Sequence, residues 1–182
     1  MGTLKTTNIQ TITGSGTLTL GTSGETLTVP TGVTVGGLMS NTPAFSARPN
    51  ANQSIASTSF VKLSFQTENF DTDNAFDNST NYRFTVPTGK AGKYYFEGTY
   101  LLNSNDDKMY ISYLYKNGSR LDNSIGKEVT GGGASSAGAT SSIIIDLAVG
   151  DYMEYYVYHS SGANRDTLQN YCYFAGYKLI GT

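Results

Sequence analysis

The hydrophobic pattern divides this chain at about residue 43. Before that point apolar side chains come in short alternating runs: Ile9 and Ile12, Leu18 and Leu20, Leu27 and Val29, Val33 and Val35. Turn sequences separate them, at Thr13 to Gly16, Gly21 to Gly24 and Pro30 to Gly32. The first 40 residues hold twelve threonines, no aromatic side chain and two charges, Lys5 and Glu25. Runs this short favour extended backbone but offer two small apolar groups each, too little to build a private core. Residues 1–42 are therefore expected to form small β-arches that gain their core from neighbouring chains or a host particle.

From Phe45 onward the pattern changes, and all 22 aromatic residues of the chain lie there. Period-2 alternation predicts strands near Ala44 to Ala47, Phe60 to Phe65, Tyr82 to Val86, Lys93 to Leu102 and Lys108 to Lys116. Others are expected at Ser141 to Leu147, Asp151 to His159 and Asn170 to Leu179, with a short one near Arg120 to Asn123 or Gly126 to Val129. About eight to ten antiparallel strands must close into a sandwich or barrel to cover their apolar faces. Residues 43–182 form that second, all-β domain. Met109 to Tyr115 and Tyr152 to Tyr158 are apolar on both parities, with more tyrosine than one core face needs. The surplus, including Tyr113, Tyr115, Tyr155 and Val157, is expected to serve both the core and a subunit interface.

Composition narrows the function. Charged residues are 14% of the chain and the net charge is −2, which leaves no electrostatic footprint for nucleic acid. No apolar run reaches transmembrane length, and no signal peptide opens the sequence, which fits assembly in a bacterial cytoplasm. Cys172 is the sole cysteine and is expected as a buried small side chain. His159, the sole histidine, follows a strand and is expected on a surface loop, without partners for a zinc site or a nucleophile.

The carboxylates offer no argued acid–base pair, so polysaccharide depolymerase activity is the weakest of the functional readings. Two acidic stretches, Glu68 to Asn74 and Asn103 to Asp107, carry hard oxygen donors. They make Asp71, Asp73, Asp106 and Asp107 candidate calcium ligands, although turn-building is the simpler role. No other cofactor is indicated. The glycine-rich segment Thr130 to Thr140 is expected as an exposed or subunit-covered loop, or as a small-residue strand packed closely on a neighbour. With the Ser160 to Thr167 loop it is a candidate ligand-facing surface, represented by Ser135, Ser160 and Asn164.

An ordered set of segments resembles the globular domain of the C1q and tumour-necrosis-factor superfamily. It comprises Pro43 to Ala47, Val61 to Phe65, Asn74 to Asp77, Phe84 to Pro87, Gly92 to Phe96, Leu114 to Gly118, Leu147 to Asp151, Val157-Tyr158 and Phe174 to Leu179. The resemblance implies a ten-stranded jelly roll assembled as a homotrimer, and recognition rather than catalysis. It implies that Phe84, Tyr94, Phe96, Gly98 and Phe174 belong to the core and trimer-forming set, and Phe45 in the first strand is a further core or interface candidate. No collagen-like stalk precedes Pro43, and the Thr/Gly-rich arches resemble N-terminal regions of phage virion proteins. The expected function is a virion structural protein, a tail fibre or appendage. Residues 1–42 would contact other virion proteins, and the head would touch a host-surface glycan or protein. A capsid fibre or decoration protein and a secreted C1q-like lectin are the alternatives.

Overall fold

In the computed structural model the described residues are 41–103, 108–129 and 135–179. They carry fourteen strands. These are β1 (Ala44–Arg48), β2 (Ser54–Ile55), β3 (Val61–Lys62), β4 (Thr67–Asp71), β5 (Phe76–Asp77), β6 (Arg83–Thr85) and β7 (Gly92–Asn103). They continue with β8 (Met109–Lys116), β9 (Ser119–Arg120), β10 (Gly126–Val129), β11 (Ser136–Leu147), β12 (Tyr152–His159), β13 (Arg165–Asp166) and β14 (Tyr173–Lys178). Two sheets form the sandwich. One has the order β11-β7-β14-β1-β4, the other β10-β8-β12-β6-β5 with β3 and β9 attached, and β2 pairs β13 apart from both. Every pairing is antiparallel.

The long strands follow the alternation that predicted them. In β7, Tyr94, Phe96, Gly98, Tyr100 and Leu102 are buried while Tyr95, Glu97, Thr99 and Leu101 lie on the opposite face. The same parity rule turns Met153, Tyr155, Val157 and His159 of β12 inward. Phe174 stands at the middle of the core. Its ring meets Phe45 edge-on at 5.1 Å and lies within 6.2 Å of Phe65, Phe76, Phe96 and Tyr155. Phe45 in turn stacks on Phe76 at 4.7 Å and on Phe84 at 5.3 Å. Burying this many rings is the dominant stabilising contribution, and their offset and edge-on contacts add to the area term. The few polar groups in the interior are satisfied: Ser112 Oγ and Ser141 Oγ lie 2.6 Å apart, and Ser141 Oγ also accepts from Gly126 N–H.

Several expectations shift. The stretch Phe60 to Phe65 contributes only Val61–Lys62 to the ladder, although Leu63 N–H still bonds to Tyr155 C=O. The acidic stretch beginning at Glu68 is not a loop. Its first part is β4, an edge strand with no fully buried residue, which is why it lacked an apolar signal. β11 begins at Ser136 rather than Ser141, so the small residues Ala137, Gly138 and Ala139 extend a strand lying close against Tyr100 to Leu102 of β7. Asn117-Gly118 joins β8 to β9 as a two-residue hairpin with φ of 51° and 75°, the positive pair that this turn requires. Of residues 1–42 only Asn41 and Thr42 are among the described residues, so the arches expected there lie outside them.

Candidate functional site

The sequence-chosen positions fall in several separate places. Phe45, Phe84, Tyr94, Phe96, Tyr155, Val157 and Phe174 are all fully buried between the two sheets. Tyr113 and Tyr115 lie on the outer face of the seven-stranded sheet. Ser135 and Asn164 are exposed. Ser160 is half-buried, and its hydroxyl accepts from Met109 N–H at 3.2 Å, so it ties β12 to β8 rather than facing outward.

Asp71 and Asp73 have structural work. Asp71 accepts from Phe76 N–H at 2.7 Å and from Asp73 N–H at 3.3 Å, closing the turn after β4. Asp73 accepts from the Thr72 hydroxyl and pairs with Lys90 at 3.2 Å. Asp73 and Asp77 border one open cavity of about 400 Å³. Asp77, however, takes the N–H groups of Ser79, Thr80 and Asn81 together with both of the neighbouring side-chain donors. Those backbone bonds hold its carboxyl far below the usual carboxylate range. Among the described residues no group of three or more acidic, histidine or cysteine side chains is arranged to hold a metal. Asp106 and Asp107 lie outside the described residues.

His159 corrects its expectation: it is fully buried at the end of β12, not on a surface loop. Nε2 lies 3.0 Å from Ile55 C=O and must donate to it, so Nδ1 accepts from Ser161. The single proton of the Ser161 hydroxyl serves either Nδ1, at 2.8 Å, or Ala163 C=O, at 2.9 Å, while the Ser161 N–H also reaches Nδ1 and the hydroxyl oxygen accepts from Arg165 Nε. A histidine oriented by a backbone carbonyl, with its serine occupied by the same loop, clamps the β12 end and does not form a nucleophile. Cys172 is buried as expected; burial raises its thiol pKa, and Sγ faces Leu168 C=O at 3.4 Å.

Two sheet faces remain as recognition surfaces, and they differ. On the outer face of the seven-stranded sheet the aromatic side chains cover one another. Tyr115 stacks on Tyr156 at 4.0 Å, and Phe60 packs on Tyr158 at 5.0 Å. Arg120 lies over Tyr113 at 4.8 Å and over Phe60 at 5.5 Å, while Arg83 lies over Tyr152 at 4.1 Å. Tyr113 is only 8% exposed as a result, and the Lys62–Glu154 ion pair at 2.9 Å closes the same surface.

The outer face of the five-stranded sheet is less covered. Register places Ile144, Tyr95, Tyr177 and Ala44 in one row and Ser142, Glu97, Ala175, Ser46 and Phe70 in the next. Ile144 is 61% exposed, Phe70 51% and Tyr177 37%. Glu97 stands among them and accepts hydrogen bonds from the hydroxyls of Tyr173 and Tyr95. Those two bonds, Tyr173's first, lower the Glu97 pKa. Tyr173 is raised to about 12 by burial and by the same carboxylate. The result is an aromatic surface whose one central charge is already satisfied. Sequence reading singled out the β8 and β12 tyrosines and passed over this face, though the odd-numbered side chains of Lys93 to Leu102 mark it.

The sandwich has the C1q/TNF jelly-roll fold. No protein-family model matches the sequence, and no curated protein matches it. Solved structures do. The globular domain of a zebrafish complement 1qA protein is 18% identical, with a TM-score of 0.54, covering 76% of this chain and 98% of its own. Murine APRIL is 12% identical, with a TM-score of 0.55, covering 75% and 98% respectively. Eiger TNF from S. frugiperda is 9% identical, with a TM-score of 0.54, covering 76% and 93%. At these identities the likeness is one of fold.

Proposed function

We propose that this chain is a non-catalytic recognition module that acts as a homotrimer, with its subunits packed through the outer face of the five-stranded sheet. It is carried on a phage particle as a tail fibre or appendage, attached through residues 1–42, with the jelly-roll head displayed toward a host-surface glycan or protein. The carrying observation is the exposed Ile144, Phe70 and Tyr177, beside Tyr95 and Tyr173, around an ionised carboxylate that two tyrosine hydroxyls hydrogen-bond. A large apolar patch rimmed by polar groups favours association, and the two tyrosine hydroxyls give the ionised Glu97 partners that lower the cost of covering it. The threonine-rich sequence of residues 1–42 supplies the reason to place the head on a particle: its short apolar runs have β propensity but offer few side chains for a core.

Light scattering on the full chain tests the assembly. The expected mass is that of three chains, falling to one in Ile144→Glu and Tyr177→Glu. Both side chains are exposed in the single chain, so these variants keep their fold. A monomeric wild type, or variants that stay trimeric, would refute the interface. Particle association is tested by mass spectrometry of purified virions, where the chain is expected and deletion of residues 1–40 should remove it.

A further inference from the structure

We propose that a cavity beside Tyr171 binds one ring of a neutral saccharide, which names the ligand chemistry of the recognition module proposed above and rests on that reading. The cavity has a volume of about 230 Å³ and is lined by Asn52, Leu168, Gln169, Asn170 and Tyr171. That is below the roughly 300–1,000 Å³ typical of drug-sized ligand sites, which suits a single small ring.

The lining chemistry selects the ligand class. Tyr171 is 64% exposed, and no stacking partner for its ring is found among the described residues. A tyrosine face packs against the C–H face of a pyranose while its hydroxyl stays in water. Around it stand three carboxamides, each with two donors and an acceptor, the complement of adjacent sugar hydroxyls. The Asn52 carbonyl oxygen is used by Gln169 N–H at 3.0 Å, which fixes the side chain and leaves its NH₂ group to donate. Among the described residues no charged side chain lines the cavity, so its lining does not reward a phosphate, a uronate or a cation.

The frame is rigid although the ring is exposed. Tyr171 closes the short 3₁₀ turn Gln169–Tyr171. Leu168 N–H bonds to Leu101 C=O at 2.8 Å, Tyr171 N–H to Leu168 C=O at 2.9 Å, and Thr167 N–H to Gln53 C=O at 2.9 Å. Cys172, the next residue, is buried against β7. Little conformational entropy remains to be lost on binding, which is how a shallow site gains affinity. Side-chain ordering is confined to the Tyr171 ring and the amide groups.

The test is ligand titration of the full chain with free glucose, galactose, mannose, N-acetylglucosamine and glucuronate, followed by saturation-transfer NMR and calorimetry. At least one neutral sugar is expected to bind with a Kd on the order of 1 mM. Tyr171→Ala should weaken it at least about tenfold, and Tyr171→Phe should keep it within about threefold, since stacking survives. Melting temperature should not move in either variant, because the ring is exposed. Failure of all four neutral sugars to bind below about 50 mM, equal binding by Tyr171→Ala, or preference for glucuronate would each overturn the site. A monomeric mass in light scattering with Tyr171-dependent sugar binding intact would remove the trimer and leave the site standing; the reverse pattern would remove the site alone.

Discussion

Gly98 is expected to be irreplaceable for reasons of space alone. It lies in β7 opposite Phe174 of β14 and Ser141 of β11, and its backbone is outside the left-handed region. A Cβ at this position would sit 2.4 Å from Tyr155 Cδ2, 2.5 Å from Cε2 and 2.8 Å from Cγ. Carbon atoms in contact prefer about 3.5–4.0 Å, so the ring would have to retreat by about 1 Å. It has nowhere to go. Tyr155 is fully buried between Phe65, Tyr100 and Phe174, and its hydroxyl donates to Ala139 C=O at 3.0 Å. Overpacking costs typically 1–3 kcal/mol, and a clash with an aromatic ring held on all sides belongs at the upper end, about 3 kcal/mol. For a chain of this size that lowers Tm by about 6–12 °C. Thermal and urea denaturation of Gly98→Ala against wild type measures it. Gly89→Ala separates the steric cause from backbone strain, because that glycine has φ +75° and nothing within 4 Å of the added atom; its loss is expected near 1 kcal/mol. In a Tyr155→Leu background the Gly98→Ala penalty should largely vanish, as coupled neighbours are non-additive. A Gly98→Ala Tm within 1 °C of wild type, or the same penalty in both backgrounds (threshold about 1 °C and RT-scale differences of ~0.6 kcal/mol), would refute the packing argument.

Other outcomes follow from the polar groups. Asp77→Ala should cost about 1–2 kcal/mol in urea denaturation by releasing the Ser79 to Asn81 turn, with Asp77→Asn losing less. Asp151 is lowered from 3.8 to about 2 by Lys116, then Asn117 and Ala148 N–H. A depressed carboxylate stabilises the fold fully above its unfolded pKa, and the contribution is lost as pH falls from about 4 toward 2. Asp151→Asn should flatten that part of the acid limb of a Tm-against-pH curve. At the alkaline end Tyr94 is raised from 10.0 to about 12, by burial and then by Asp73. The folded chain keeps the phenol proton that the unfolded chain releases, so stability is full below pH 10 and declines toward pH 12, and Tyr94→Phe should remove part of that decline.

How far the sequence carries depends on where each residue's partner lies. Strands with internal alternation, such as Lys93 to Leu102, are readable because their own side chains record which face is buried. The two-residue strand β2 is not, since its partner, β13, lies more than 100 residues on, at Arg165 and Asp166, and β5 holds too few residues to show an alternation of its own. β4 is hidden for another reason: on an edge, facing water, an extended segment keeps the acidic composition of a loop. His159 was readable. It has the parity of Met153, Tyr155 and Val157, and only its polarity argued for the surface. Tyr171 was not: it lies inside the strand expected at Asn170 to Leu179, but it closes a 3₁₀ turn and the strand begins only at Tyr173.

The two sheet faces show the same distinction in its functional form. Tyrosine density in β8 and β12 suggests an interface, yet density records how many rings there are and not whether they are covered. On the seven-stranded sheet Arg83 and Arg120 arrive from β6 and β9 to lie across the rings, and Phe60 folds over Tyr158 from the approach to β3. Rings in cation–π and stacking contact have already spent much of the surface a partner would bury. The five-stranded sheet has fewer outward aromatics; Tyr95 and Tyr177 meet at 5.5 Å, but among the described residues no guanidinium lies over them, and the acid among them, Glu97, is held by tyrosine hydroxyls. Exchanging the two conditions is the sharpest separation of the faces. Arg120→Ala should uncover Tyr113 and Phe60 and lower the melting temperature slightly without changing the assembled mass, whereas Ile144→Glu should change the mass and leave the stability of the single chain almost untouched. If Arg120→Ala dissociates the assembly and Ile144→Glu does not, the subunits meet through the tyrosines of β8 and β12.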